Sequence, residues 1–126
     1  MTTLLLAAAL LCPSRAACEA LERGQRAMER MKEEYRLRRN YIVSSLNEAG
    51  IPCHLPKGAF YVFPDIRGTG LSSKEFSLKL LDAKKVAVVP GTAFGPSGEG
   101  YVRCSYATGM DQIKIACQHI SDFVRK

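Results

Sequence analysis

The run Val89-Pro-Gly-Thr-Ala-Phe-Gly-Pro-Ser-Gly-Glu-Gly-Tyr-Val-Arg-Cys-Ser-Tyr-Ala107 constrains this chain more than any other segment. It sets one arginine, Arg103, in the middle of a short strand-forming stretch whose other residues mostly favour burial. A loop carrying Gly91, Gly95, Gly98 and Gly100 leads into that stretch, and glycine lets a backbone turn sharply without a side-chain penalty. Side chains alternate along a strand, so Tyr101, Arg103 and Ser105 share one face while Val102, Cys104 and Tyr106 share the other. The second set is apolar and should pack on helices; the first should face a cleft or a partner domain. A guanidinium cannot shed its charge, so an inward-tilted arginine needs a carboxylate or phosphate, best gripped through two parallel N–H bonds. From the residues alone two readings stay open. One is a binding site for a small anionic substrate; the other is an arginine on an exposed sheet edge, bridging to a carboxylate such as Glu99.

The segments before and after that strand read as helices and two more strands. Met28, Met31, Tyr35, Ile42, Leu46 and Ala49 recur at helical spacing and predict a long helix over Ala16 to Ala49 with one apolar stripe turned to the core. Gly24 is its weak point, a kink or a break, and Gly50 followed by Pro52 ends it. Gly58 to Phe63 is aromatic and β-branched, a strand stopped by Pro64, and Asp65 to Leu71 is a loop. Ser72, three residues before Glu75, is a capping box opening a helix to about Lys84, with Phe76, Leu80 and Leu81 turned inward. Val86 to Val89 is a second strand closed by Pro90-Gly91, and Tyr101 to Ala107 is the third. Thr108 with Asp111 is expected to cap a last helix whose inner face is Ile113, Ala116, Cys117, Ile120 and Phe123. With 126 residues, room exists for one ordinary domain: a small α/β (α+β) two-layer unit with three strands and packed helices.

The net charge of +6 does not mark a nucleic-acid binder. Between Arg15 and Arg39 the basic excess is interleaved with acids at i,i+4 spacing (Glu19 with Arg23, Glu22 with Arg26, Glu34 with Arg38), the pattern of a solvated helix face. A nucleic-acid surface would need a stripe of one sign, so no nucleic-acid partner is expected. Five cysteines, Cys12, Cys18, Cys53, Cys104 and Cys117, with no C-x-x-C, argue for reduced thiols and a cytoplasmic protein. Cys53-His54 and Cys117/His119 fit no structural zinc spacing, so they are read as buried, inert cysteines and no metal is expected. The apolar run Leu4 to Leu11, followed by Ala16 and Ala17, has the outline of a signal peptide acting over residues 1–16. It has no Lys or Arg ahead of it and is too short to span a membrane, which favours a buried segment leading into the first helix.

Taken together, Val88-Val-Pro-Gly-Thr-Ala-Phe-Gly95, Gly98-Glu-Gly-Tyr-Val-Arg103 and Ser105-Tyr-Ala107 resemble the C-terminal small domain of the fold-type I, class I/II aminotransferases, which depend on pyridoxal phosphate. Pro56-Lys-Gly-Ala-Phe-Tyr-Val-Phe-Pro64 resembles the strand that begins that domain. Tyr35 to Asn47, with Arg38-Arg39, is similar to the long inter-domain helix before it. The resemblance implies an N-terminal apolar segment over 1–20 and a small domain over 21–126. It also implies amino-group transfer between an amino acid and a 2-oxo acid, with Arg103 holding the substrate α-carboxylate. Family members are much longer, and the large domain carries the lysine that forms the Schiff base and the groups that grip the cofactor. Lys57, Lys84 and Lys85 sit in no segment resembling the Schiff-base motif, so no catalytic or cofactor-binding residue is assigned. The expected partners are the substrate and a large domain or full-length homologous subunit, with self-association through exposed apolar surface. The expectation is a small-domain portion inactive alone; a non-catalytic binding or regulatory module, or a decayed remnant, are the alternatives. Alanine, aspartate and aromatic substrates stay open.

Overall fold

A computed structural model describes residues 14–125. The apolar run Leu4 to Leu11 and Cys12 lie outside them. The chain divides into two compact units that meet in sequence between Glu34 and Tyr35.

In the first unit residues 14–23 are helical (α1), Gly24 interrupts, and α2, Gln25–Glu48, begins. The break falls where the sequence is weakest, yet the bonds continue through it, from Gly24 N to Ala20 O and from Met28 N to Gly24 O, both 2.9 Å. A β-carbon at Gly24 would stand 2.3 Å from the Ala20 carbonyl oxygen, so only glycine fits this geometry. Arg23 bridges to Glu19 one turn back at 3.4 Å, as the charge spacing implied. The apolar stripe fares differently: Met28 and Met31, expected in the core, are 45% and 58% exposed. Among its described residues this unit is helix alone, with no second layer of its own to bury a stripe on.

From Tyr35 onward the second unit holds the core. The rest of α2 contributes buried Ile42 and Leu46, with Tyr35 packed against them. Its end is set by Gly50 in the left-handed region at φ 82°, with Ile51 N bonded to Leu46 O at 2.9 Å. Asn47 then ties down the connection, donating to Cys53 O and accepting from Cys53 N, both at 3.0 Å.

Three short strands form an antiparallel sheet in the order β1-β3-β2: β1 Tyr61–Val62, β2 Val89–Pro90 and β3 Val102–Ser105. All three are shorter than the sequence suggests. The expected start of β1 at Gly58 is lost because Ala59 lies in the left-handed region at φ 60°, which ends regular pairing. Residues 86–88 remain outside the ladder, though Val86 and Val88 still lean on the core. Helix α3, Ser73–Lys84, opens with the expected capping box of Ser72 and Glu75. It buries Phe76 and Leu80, while Leu81, expected inside, is 45% exposed; Ser73 and Ser77 occupy the inner face instead. Helix α4, Met110–Val124, turns Ile113, Cys117 and Ile120 inward. Its N-cap is Gly109 with no side-chain bond, which displaces the cap expected from Thr108 and Asp111. The outcome is a small α/β domain in which helices cover one face of a three-stranded sheet.

Candidate functional site

The alternation read from the last strand is present in space. Val102 and Cys104 of β3 and the following Tyr106 are buried, whereas Tyr101 and Arg103 are half-buried and Ser105 is exposed. Tyr106 is fixed by its hydroxyl, which donates to Ala59 O at 2.8 Å. That bond also holds the strained turn ahead of β1. Arg103 therefore projects from the central strand of the sheet on the side away from the helical core.

The glycine loop is built from close backbone packing. After β2 the chain makes two 3-10 turns, Gly91–Phe94 and Pro96–Gly98. A β-carbon on Gly91 would lie 2.0 Å from the Gly98 carbonyl oxygen, so the two turns touch backbone to backbone. Gly100, at φ 85°, then bends the chain into β3, and Gly91 N bonds to Tyr101 O at 2.8 Å. Helix α3 anchors this loop from beneath. Ser73, wholly buried, accepts Gly100 N–H on Oγ at 2.9 Å. Its own N–H donates to Glu99 Oε1 at 2.8 Å.

Arg103 lies on the central strand of the sheet, not at its edge. Glu99, four positions before Arg103 in sequence, accepts through Oε1 at the N-terminus of α3. Among the described residues no carboxylate is paired with Arg103. Its guanidinium carbon instead lies 4.2 Å from the ring centroid of Tyr61 and 4.5 Å from that of Phe94. Neither ring was singled out from the sequence as part of the site. Phe94 lies in the loop ahead of Arg103 and Tyr61 in the distant run over 56–64, and nothing local in either run signals a contact with Arg103.

A second arginine behaves differently. Arg67 clasps Asp65 through Nε, at 2.9 and 3.0 Å to the two carboxylate oxygens, and reaches the Tyr101 hydroxyl from Nη2 at 3.3 Å. This pair pulls the Asp65 carboxyl down to about 2. Arg67 is thereby a strap across Gly100, not a free cation.

The remaining candidates fall into structural places. Cys53, Cys104 and Cys117 are buried, and burial pushes their thiols up to about 11, 12 and 11. Among the described residues no cluster of metal-ligating side chains occurs, and no helix is long and apolar enough to cross a membrane. Lys84 Nζ approaches Asp122 at 3.9 Å, Lys85 Nζ donates to Asp82 O at 2.8 Å, and Lys57 is exposed. Pyridoxal phosphate needs an anchoring lysine, a carboxylate at its ring nitrogen and a phosphate cradle. The described residues around Arg103 do not assemble that set, so they do not fit the cofactor by themselves.

A family model described as aminotransferase class I and II matches residues 6–120. Aromatic-amino-acid aminotransferase 2 of Thermococcus litoralis is 50% identical over 113 residues, which are 88% of this chain and 29% of that protein. An aspartate aminotransferase of Pyrococcus abyssi is 51% identical over 113 residues with the same shares. Among solved structures, an aromatic aminotransferase from Pyrococcus horikoshii superposes with a TM-score of 0.81 at 50% identity, over 82% of this chain and 28% of that one. The chain thus spans less than a third of the length of these relatives.

Proposed function

This chain belongs to the class I and II aminotransferases, and on that premise we propose that it is the small-domain portion of an enzyme moving an amino group between an amino acid and a 2-oxo acid. In this reading Arg103 binds the substrate α-carboxylate. The observation that carries it is that a half-buried arginine on the central strand has no carboxylate partner among the described residues, while nearby Glu99 is held by Ser73. Unpaired, the guanidinium keeps its parallel N–H donors for an external carboxylate, the geometry that arginine alone among the cationic side chains presents. Bound there, a substrate would be oriented at its α-carbon end by two directional bonds, leaving the rest of the molecule to be selected elsewhere.

The cofactor of this family, pyridoxal phosphate, supplies the electron sink for amino transfer when bound. The residues that would hold it belong to a large domain, which is the partner this reading requires on the same chain or on a homologous subunit. The 126 residues by themselves are proposed not to turn over amino acids.

The test joins this segment to the large domain of a relative. Arg103→Lys keeps the charge but loses the parallel donors, a loss of about 1.5–3 kcal/mol, or about ten- to hundredfold in amino-acid affinity. Cofactor binding, followed by its absorbance, should be unchanged. Arg103→Ala should weaken binding further. Variants that bind amino acids as well as the parent would reduce Arg103 to a surface cation and remove the reading.

A further inference from the structure

The geometry points to Tyr61 and Phe94 as positioning residues for Arg103: the two rings hold its guanidinium so that the N–H fork stands preset for a flat carboxylate. This rests on the reading of Arg103 as a carboxylate binder and names what makes that binder rigid.

An arginine on a strand has several rotatable bonds, and ordering them at the moment of binding costs affinity. Salt bridges are the usual way to hold such a side chain, but a carboxylate that orders the guanidinium also occupies its donors. Aromatic rings do not. They attract the cation through the ring face and take no in-plane N–H bond, so the fork stays open. Both rings are close enough for this, at 4.2 Å for Tyr61 and 4.5 Å for Phe94.

The fold brings the rings from the two flanks of the central strand. Tyr61 belongs to β1, paired with Ser105, which makes it the diagonal neighbour of Arg103. Phe94 ends the 3-10 turn that follows β2, the strand on the other side of β3. Each ring is itself braced. Phe60 lies 4.6 Å from Tyr61, and Phe63 meets Phe94 edge-on at 5.7 Å. Phe94 remains 51% exposed. A phenylalanine left this open gains only part of its burial energy, and its ring is held between Phe63 and the Arg103 guanidinium. The glycine loop has a matching role, since the touching turns at Gly91 and Gly98 fix the backbone from which Phe94 projects.

The experiment uses the full chain, isotope-labelled, with the Arg103 Nε–Hε resonance as reporter. Side-chain relaxation should show a restricted guanidinium in the parent. Phe94→Leu and Tyr61→Leu should each loosen it, whereas Tyr61→Phe, which keeps the ring, should not. Phe94 lies on an exposed turn, so its variant remains informative even where Tyr61→Leu disturbs β1. Titration with 2-oxoglutarate at constant ionic strength should then shift the resonance, with the leucine variants binding about two- to fivefold more weakly. Leucine variants that match the parent in both mobility and affinity would overturn the positioning role while leaving the carboxylate reading intact. A parent whose Arg103 is ordered by the rings yet does not respond to 2-oxoglutarate, either in this chain or when joined to the large domain of a relative, would overturn the carboxylate reading, and with it the purpose assigned to the rings.

Discussion

Two buried serines one turn apart in α3 should behave in opposite ways, and the contrast tests how the glycine loop is held. Ser73 is wholly buried and its Oγ is the acceptor for Gly100 N–H at 2.9 Å. In Ser73→Ala that N–H stays buried without a partner, and an orphaned buried donor costs about 1–3 kcal/mol. Ser77 is nearly as buried, but its Oγ only donates to the Ser73 carbonyl at 2.8 Å within the same helix. Removing that hydroxyl removes donor and bond together, and alanine's better helix propensity, worth up to about 0.7 kcal/mol, offsets the loss. Urea unfolding followed by circular dichroism separates the two. With a slope of about 1–3 kcal/mol per molar for a small domain, Ser73→Ala should lower the midpoint by about 1 M at unchanged slope. Ser77→Ala should stay close to the parent. Equal midpoints for the two variants would refute the argument, because they would mean that Gly100 N–H does not depend on Ser73.

Two further outcomes follow from charge and burial. At pH 8 an alkylating reagent should label exposed Cys18 rapidly and leave Cys53, Cys104 and Cys117 untouched until denaturant is added, because burial raises these three thiols to about 11, 12 and 11; peptide mapping by mass spectrometry reads each site, and native-state labelling of the three would contradict their burial. Asp65 is lowered from 3.8 to about 2, first by its side-chain bonds to Arg67. Its contribution to stability is therefore complete above the unfolded value and lost as pH falls from about 4 to about 2; Asp65→Asn should flatten that part of the stability profile and leave the slope above pH 5 unchanged, whereas a parent-like acid limb would show that the clasp adds nothing.

What the sequence made legible was local and periodic. The capping box at Ser72 and Glu75, the left-handed end at Gly50, the break at Gly24 and the in-out alternation around Arg103 each depend on one or two neighbouring residues, and each is present. Strand β1 is shorter than its composition implies because propensity does not register Ala59, whose left-handed backbone is stabilised by a bond from Tyr106, 47 positions away. Met28, Met31 and Leu81 were expected inside because a stripe shows which side of a helix is apolar but not whether anything lies opposite it. The site divides along the same line. Arg103 stands out as a candidate because a charge in a burying strand is a local contradiction. Its surroundings do not stand out. Glu99 was the obvious ion-pair partner by proximity in sequence, and it is diverted by Ser73, 26 positions away. The guanidinium stands against two rings, Tyr61 and Phe94, that lie apart from it in sequence. An unpaired arginine is costly where it has no ligand to meet, and here Glu99, close to it in sequence, is held by the same helix that fastens the glycine loop. If Arg103 binds a carboxylate as proposed, the loop, the serine and the two rings act on one quantity, the availability of its fork. On that reading, disturbing Ser73 should weaken anion binding as well as stability.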